Sequence, residues 1–388
     1  MHKYFCYAQP SSNFYNYKVK NGYGNAPLLT IFDVCFLPEI PLKMHYFLIL
    51  AVSISTGISV IINALLIYLI AKRSPRTLGS YKHLMIFMSL IEMLFSLNTL
   101  LLKPEVTTKG HYWIIATDSK RALVPLTMAY ILMLIYGGSF GVALAAFGVH
   151  FVFRYLTATG RKIWVTGLKP LFLWLGIPIL SGAIYLYIFH VCSQLDETVV
   201  QFIREEIGNA QNLPISEIVF LGSNMGAPPE NYKNESAGWQ KTTGFCLLVL
   251  INIASFLVII YFGTKTYSVI KKQSGSHQNL SSSLKHLQSQ LYYSLVLQSV
   301  IPIIVINVPS AVIAVYLVSG SAIEVHGLII NISGCLFPAI DPLPNMIIIR
   351  PYRKAIIGMV KKLFRRRSDD RVFGNTDSQI FTARRSGY

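Results

Sequence analysis

Residues 126–153 read LTMAYILMLIYGGSFGVALAAFGVHFVF, with no aspartate, glutamate, lysine or arginine among them. An α-helix needs about 20 apolar residues to cross a ~30 Å hydrocarbon core. Inside lipid every backbone N–H and C=O must be paired within its own segment, so a run of this kind is a helix. Working outward, comparable runs occupy Phe47–Ile70, Leu84–Leu102, Leu171–Val191, Thr242–Gly263, Leu291–Val318 and Gly327–Ile349. A soluble chain could bury one or two such helices, but not seven. The sequence therefore predicts an all-α membrane protein, a seven-transmembrane helix bundle over residues 47–349.

Composition agrees. The 388 residues are 53% hydrophobic and 13% charged, with a mean hydropathy of +0.49, far from the balance of soluble domains. The net charge of +17 invites a nucleic-acid reading, and its placement excludes one. Lys72, Arg73, Arg76 and Lys82 follow the first run, Arg154, Arg161, Lys162 and Lys169 the third, and Lys265, Lys271, Lys272 and Lys285 the fifth; these loops hold no acid. The alternate side is different, since Cys192–Gln240 carries seven acids against Arg204 and Lys233. Lys and Arg collect on the cytoplasmic side of membrane proteins. The N-terminus is expected outside, the C-terminus inside, and the chain in the plasma membrane. No basic region leads into a short apolar core ahead of the first run, so that run is expected to act as its own insertion signal.

Four parts follow: an extracellular segment 1–46, the bundle 47–349, a juxtamembrane basic amphipathic helix 350–367 and a disordered cytoplasmic tail 368–388. On the outer side, Cys192 is a disulfide candidate with Cys6 or Cys35, the alternative being three free thiols. Asn234-Glu-Ser236 fits a glycosylation acceptor. Leu195, Val199, Phe202, Ile203 and Ile207 recur at helical spacing, which predicts an amphipathic helix over the outer mouth or packed on its own loop. The run Arg350–Arg367 repeats Ile356, Met359, Val360, Leu363 and Phe364 among basic residues, the pattern of a helix lying on anionic inner-leaflet lipids.

Ionisable groups inside a membrane are costly and mark function. Only Glu92 and Asp341 are acids within the runs. Counted from the inner ends at 1.5 Å per residue, Glu92, Asp341 and Asn63 all lie ~10–12 Å above the inner boundary. They form one polar layer, a candidate switch together with Pro342, in which one carboxyl is protonated or the pair shares a cation. The alternative is Glu92 bonded to its own helix backbone. Pro338, Pro342 and Pro344 break the seventh run at Asp341, and Pro302 and Pro309 do the same to the sixth, because each removes a helical N–H and crowds the preceding turn. These prolines are candidate hinges or static kinks. At the inner end of the third run, Arg154-Tyr155 reads by itself as a positive-inside residue beside an interfacial tyrosine.

Several blocks together resemble the nematode serpentine chemoreceptors of class r (Str), within the G-protein-coupled receptors. They are Asn63-Ala-Leu-Leu-Ile-Tyr-Leu-Ile70, Ser74-Pro75, Leu78-Gly79-Ser80-Tyr81-Lys82, Leu102-Lys103-Pro104-Glu105, His150-Phe-Val-Phe-Arg154-Tyr155-Leu156, Phe337-Pro-Ala-Ile-Asp341-Pro342-Leu-Pro344 and Tyr352-Arg353. The resemblance implies a chemosensory receptor on sensory cilia that detects a small, volatile odorant and signals through a heterotrimeric G protein. By the same analogy Arg154 and Tyr155 would meet the G protein, and Asp341-Pro342 would be the switch of the seventh span. Three departures stand out: no acid precedes Arg154, Asn345 stands where a tyrosine is common, and no cysteine marks the outer end of the third run.

The ligand cavity is expected among the third, fifth, sixth and seventh runs, mostly apolar, with Tyr130, Asn252, Asn307 and Asn331 as its polar candidates by depth. No catalytic constellation, metal site or cofactor motif is visible, so an enzyme is not expected. The rival reading is a channel or transporter for a small solute, which would want a polar path and often two related halves.

Overall fold

The computed structural model describes residues 42–75, 78–192, 197–205, 214–226, 235–275 and 282–362. Cys6, Cys35, Asn234 and the tail from residue 363 lie outside them. By contacts the chain divides after Ala51. The first unit contributes the opening turns of the helix Leu42–Arg73, and Val52 onward forms the body.

Among the described residues seven helices are long and apolar enough to cross a membrane. They are span one, Leu50–Arg73; two, Tyr81–Leu102; three, Leu126–Ala158; four, Leu168–Val191; five, Cys246–Gln273; six, Lys285–Val318; and seven, Glu324–Ile348. Their ends are written in the sequence. Span two closes on Lys103, whose φ of 47° is left-handed, just ahead of Pro104. Span three closes before Gly160, with a φ of 73°. Hydroxyls within the spans are satisfied locally: Thr56, Thr99, Ser139 and Thr266 each donate to the carbonyl four residues back.

Half of spans two, three and seven is buried, against a small share of span five, so the former make the centre. Ile61, Phe172 and Val315 point outward and are about 70% exposed, as a face solvated by lipid tails requires. Spans three and four pack closest, because Gly138 and Gly182 let the two backbones approach: a Cβ on Gly138 would stand 3.0 Å from the Gly182 carbonyl.

Span six is not one regular helix. Helix Ser282–Pro302 passes into a π turn, Ile303–Asn307, before Val308–Val318 resumes. Pro302 and Pro309 lack the N–H groups that would hold a tight ladder there. Span seven runs as Glu324–Ile340, breaks at Asp341-Pro342 and restarts as Leu343–Ile348. A further helical stretch continues to residue 362, with Tyr352 buried and Ile356 and Met359 packed on the core.

The loops at one end hold an element the helical reading did not foresee. Strands β1 (Glu105–Lys109), β2 (Tyr112–Asp118) and β3 (Ile218–Asn224) form an antiparallel sheet in the order β1-β2-β3. Gly110, at a φ of 59°, takes the tight turn between β1 and β2. The expected amphipathic helix is present as Glu197–Ile203, and it lies on this sheet. Val199 and Ile203 pack with Ile114, Ala116 and Ile218, and Phe202 stacks on Tyr112 at 4.4 Å. Arg121, paired with Glu105 and Asp118, ties off the far end of the strands.

The sheet is fastened to span seven. The Thr108 hydroxyl donates to the Ile323 carbonyl (2.6 Å) and accepts from the Gly327 N–H (2.9 Å). Gly327 lies so near the Val106 carbonyl that any Cβ would collide with it. His111 Nδ1 meets the Leu317 carbonyl at 2.9 Å. Opposite the sheet is the end that carries the basic loops.

Candidate functional site

Asn63, Glu92 and Asp341 come from spans one, two and seven, and each is at most 3% exposed. Their side chains meet. Glu92 interacts directly with both Asn63 and Asp341. Asn63 Nδ2 donates to the Pro338 carbonyl at 2.9 Å, a group the break in span seven leaves free. Span six joins through Gln298, whose Nε2 donates to Asp341 Oδ2 (2.9 Å) and to the Asp341 carbonyl (3.1 Å). Next to this, Ser294 donates to Asn345 Oδ1 at 2.7 Å, and Ser59 and Ser96 share a 2.7 Å bond.

The layer has more acceptors than donors. Asn63 Oδ1, Glu92 Oε1 and Asp341 Oδ1 are buried without a partner. Facing carboxyls this deep accommodate one negative charge between them unless a cation sits with them. A proton or a small cation therefore belongs to the layer chemically. Among the described residues no group of three or more His, Cys, Asp or Glu is placed to hold a metal ion. A small cavity beside the layer is lined by Glu92, Ser89, Gln298, Asn345 and His150.

His150 leads down span three to Arg154, one turn on. Its Nδ1 meets the Tyr81 hydroxyl at 3.0 Å. The Arg154 guanidinium lies over the Tyr81 ring, 3.7 Å from its centroid. Arg154 is 5% exposed, and its Nε and Nη2 have no hydrogen-bond partner among the described residues. An aromatic face thus stands where a carboxylate might have been expected. Tyr352 closes the neighbourhood, bonded to the Ser74 hydroxyl at 2.6 Å. Burial holds the Tyr352 phenol above its ordinary range, with the Ser74 bond acting against that. Tyr155 turns away, its ring edge-on to Phe262 of span five at 5.5 Å.

The four ligand candidates do not share one cluster of contacts. Tyr130 bonds His190 at 2.8 Å, and Asn252 bonds the Tyr185 hydroxyl at 2.8 Å, so both face span four. Asn307 ends the π turn of span six. Asn331 keeps a buried, unpaired Oδ1. Cys192 ends the helix Leu168–Cys192. Sequence reasoning gave Tyr81 no role, because a tyrosine at the foot of a span reads as an interfacial anchor.

The bundle, the broken span seven and the buried arginine at the foot of span three define a class. Squid rhodopsin superposes with a TM-score of 0.51 over 83% of this chain and 82% of its own, at 12% identity. At that identity the likeness speaks for the fold alone, the seven-helix bundle of G-protein-coupled receptors. The family described as "Serpentine type 7TM GPCR chemoreceptor Str" matches residues 49–357, and the chain belongs to that family. The G-protein coupled receptor str-217 of Caenorhabditis elegans is 28% identical over 79% of this chain and 88% of its own length. Serpentine receptor class r-10 of the same organism is 25% identical over 77% and 86%. The protein is a multi-pass membrane receptor of the G-protein-coupled type.

Proposed function

We propose that this receptor is chemosensory. Its N-terminus is outside and its C-terminus inside the plasma membrane of a sensory cilium, where it binds a small, volatile odorant and activates a heterotrimeric G protein. The observation that carries this reading is Arg154, a buried cation caged by an aromatic ring with two nitrogens unpaired. In this reading the packed arginine is one arrangement of two, because a buried cation with few hydrogen bonds gains on release to water. Parting span three from Tyr81 of span two would free it at the basic end, where the positive loops face the cytoplasm.

In this mechanism an odorant that favours the second arrangement shifts the population toward it. The polar layer supplies the joint. Asp341 sits at the break in span seven and is held by span six through Gln298, so movement of either span re-sorts the acceptors around Glu92. The exposed Arg353, Lys354, Lys361 and Lys362 of the last helix would rest on anionic lipid.

The test is G-protein activation in cells with verified surface expression. Arg154→Ala keeps surface delivery and lowers signalling sharply; equal signalling at equal surface level refutes the assignment. One observation favours a second reading, since facing carboxyls in a polar layer are also what a cation path needs. Current or flux without added G protein would establish that channel or transporter reading instead.

A further inference from the structure

We propose that the bundle-facing side of the sheet, at Trp113 and Ser223, holds this receptor's ligand, an uncharged, mostly apolar molecule with a hydrogen-bond acceptor. The inference rests on the receptor reading above and gives it a place and a chemistry. Side chains alternate across a strand, and the packing shows which way β2 points them. Ile114 and Ala116 pack under the helix Glu197–Ile203 on one face. Trp113 and Ile115 pack on the other, into the bundle. Trp113 stands opposite Ser223 on β3 and Thr108 on β1, so the three share that inner face.

Their polar atoms are not equally occupied. The Thr108 hydroxyl is fully engaged with span seven. Trp113 Nε1 and Ser223 Oγ are buried with no hydrogen-bond partner among the described residues, and Ser223 is 2% exposed. A third unpaired atom, Asn331 Oδ1, is one helical turn below Gly327, the residue that touches β1. Buried donors and acceptors are rarely left unmatched. Trp113 and Ser223 thus set a donor beside a hydroxyl on the inner face of one loop sheet, and no described residue uses them.

The walls set the ligand's character. Trp113 meets the Phe189 ring edge at 6.0 Å and packs with Ile330. Phe95 and Tyr136, stacked at 4.8 Å, belong to the same apolar cluster. The ion pairs of Arg121 with Glu105 and Asp118 are at the other end of the strands. Trp113 Nε1 can only donate, so the ligand must accept, as a ketone, ester, ether or alcohol oxygen does. Contact here would reach span seven directly, because β1 is fastened to it at Thr108 and Gly327.

The experiment uses the full chain in cells at matched surface level, with pentyl methyl ketone, heptyl alcohol, heptane, heptanoate and heptylamine as probes. Wild type is compared with Trp113→Phe, which keeps an aromatic ring and removes the donor, and with Ser223→Ala. The ketone or the alcohol should activate the receptor and heptane should not. Trp113→Phe should raise the half-maximal concentration about tenfold, the loss of one hydrogen bond, with the maximal response unchanged. Equal potency in both variants overturns the site. So do responses confined to heptanoate, heptylamine or heptane, and so does silence to all five. Ligand-independent signalling that depends on Arg154 separates the two ideas: it upholds the receptor reading whatever the Trp113 result.

Discussion

Replacing Tyr81 by leucine removes the ring over Arg154 while keeping an apolar side chain of similar reach. A desolvated cation–π contact is worth about 2 kcal/mol, and the 3.7 Å separation with a 5% exposed arginine puts this one in that class. If the packed arrangement is the resting one, its loss favours the other by about thirtyfold. A receptor active about 1% of the time would become active about a fifth of the time. Tyr81→Phe serves as the control, because it keeps the ring and loses only the hydroxyl that meets His150. Basal G-protein activation at matched surface level is the assay. It should rise several-fold or more in Tyr81→Leu and much less in Tyr81→Phe. Equal basal activity in the two variants would refute the aromatic cage. A double-mutant cycle with Arg154→Met, read as thermal stability in lipid nanodiscs, checks the energy independently. Coupling below about 0.5 kcal/mol means the contact holds nothing.

Other outcomes follow from the same geometry. Glu92→Gln keeps a neutral donor beside Asp341, so stability in nanodiscs should stay within about 1 kcal/mol of wild type; a loss comparable to that of Glu92→Leu would oppose the shared-charge account. Gln298→Met strips Asp341 of both its bonds from span six and should destabilise by about 1–3 kcal/mol, measured by thermal unfolding. Gly327→Ala drives a methyl into the Val106 carbonyl, and surface delivery should fall, whereas the same change at Gly358, which has open space around it, should leave it unaltered.

The spans were legible because lipid imposes one requirement, internal pairing of every backbone group, and hydropathy reports it directly. The depth of Glu92, Asp341 and Asn63 was legible for a similar reason: rise per residue is fixed, so counting from the basic ends places polar residues in layers. What counting could not supply was facing. Depth alone put Tyr130 and Asn252 toward a central cavity, and the fold turns both to span four. The sheet was missed although Val106, Thr107 and Thr108 precede Gly110, and the aromatic and β-branched run Tyr112–Ile115 follows it. That is a hairpin signal, and hydropathy alone, which reads the stretch only as a loop between spans, does not report it. Its third strand comes from a distant loop and left no local trace. Tyr81 shows the same limit, since its partner Arg154 is a span away.

The sheet also has a consequence for biosynthesis. Strands β1 and β2 form a local hairpin and can pair as soon as span two has been made, but β3 follows only after spans three and four, and the fastening at Thr108 waits for Gly327 of span seven. Until then the apolar underside around Trp113, Ile115 and Leu221 rests on spans two to four and lacks the side that span seven supplies through Ile330. A chain stalled or truncated before its last span would carry that surface open on one side, so the fastened sheet records that the whole bundle has been completed in order. Variants that weaken the fastening should be retained during maturation even where every ligand-facing and signalling residue is intact.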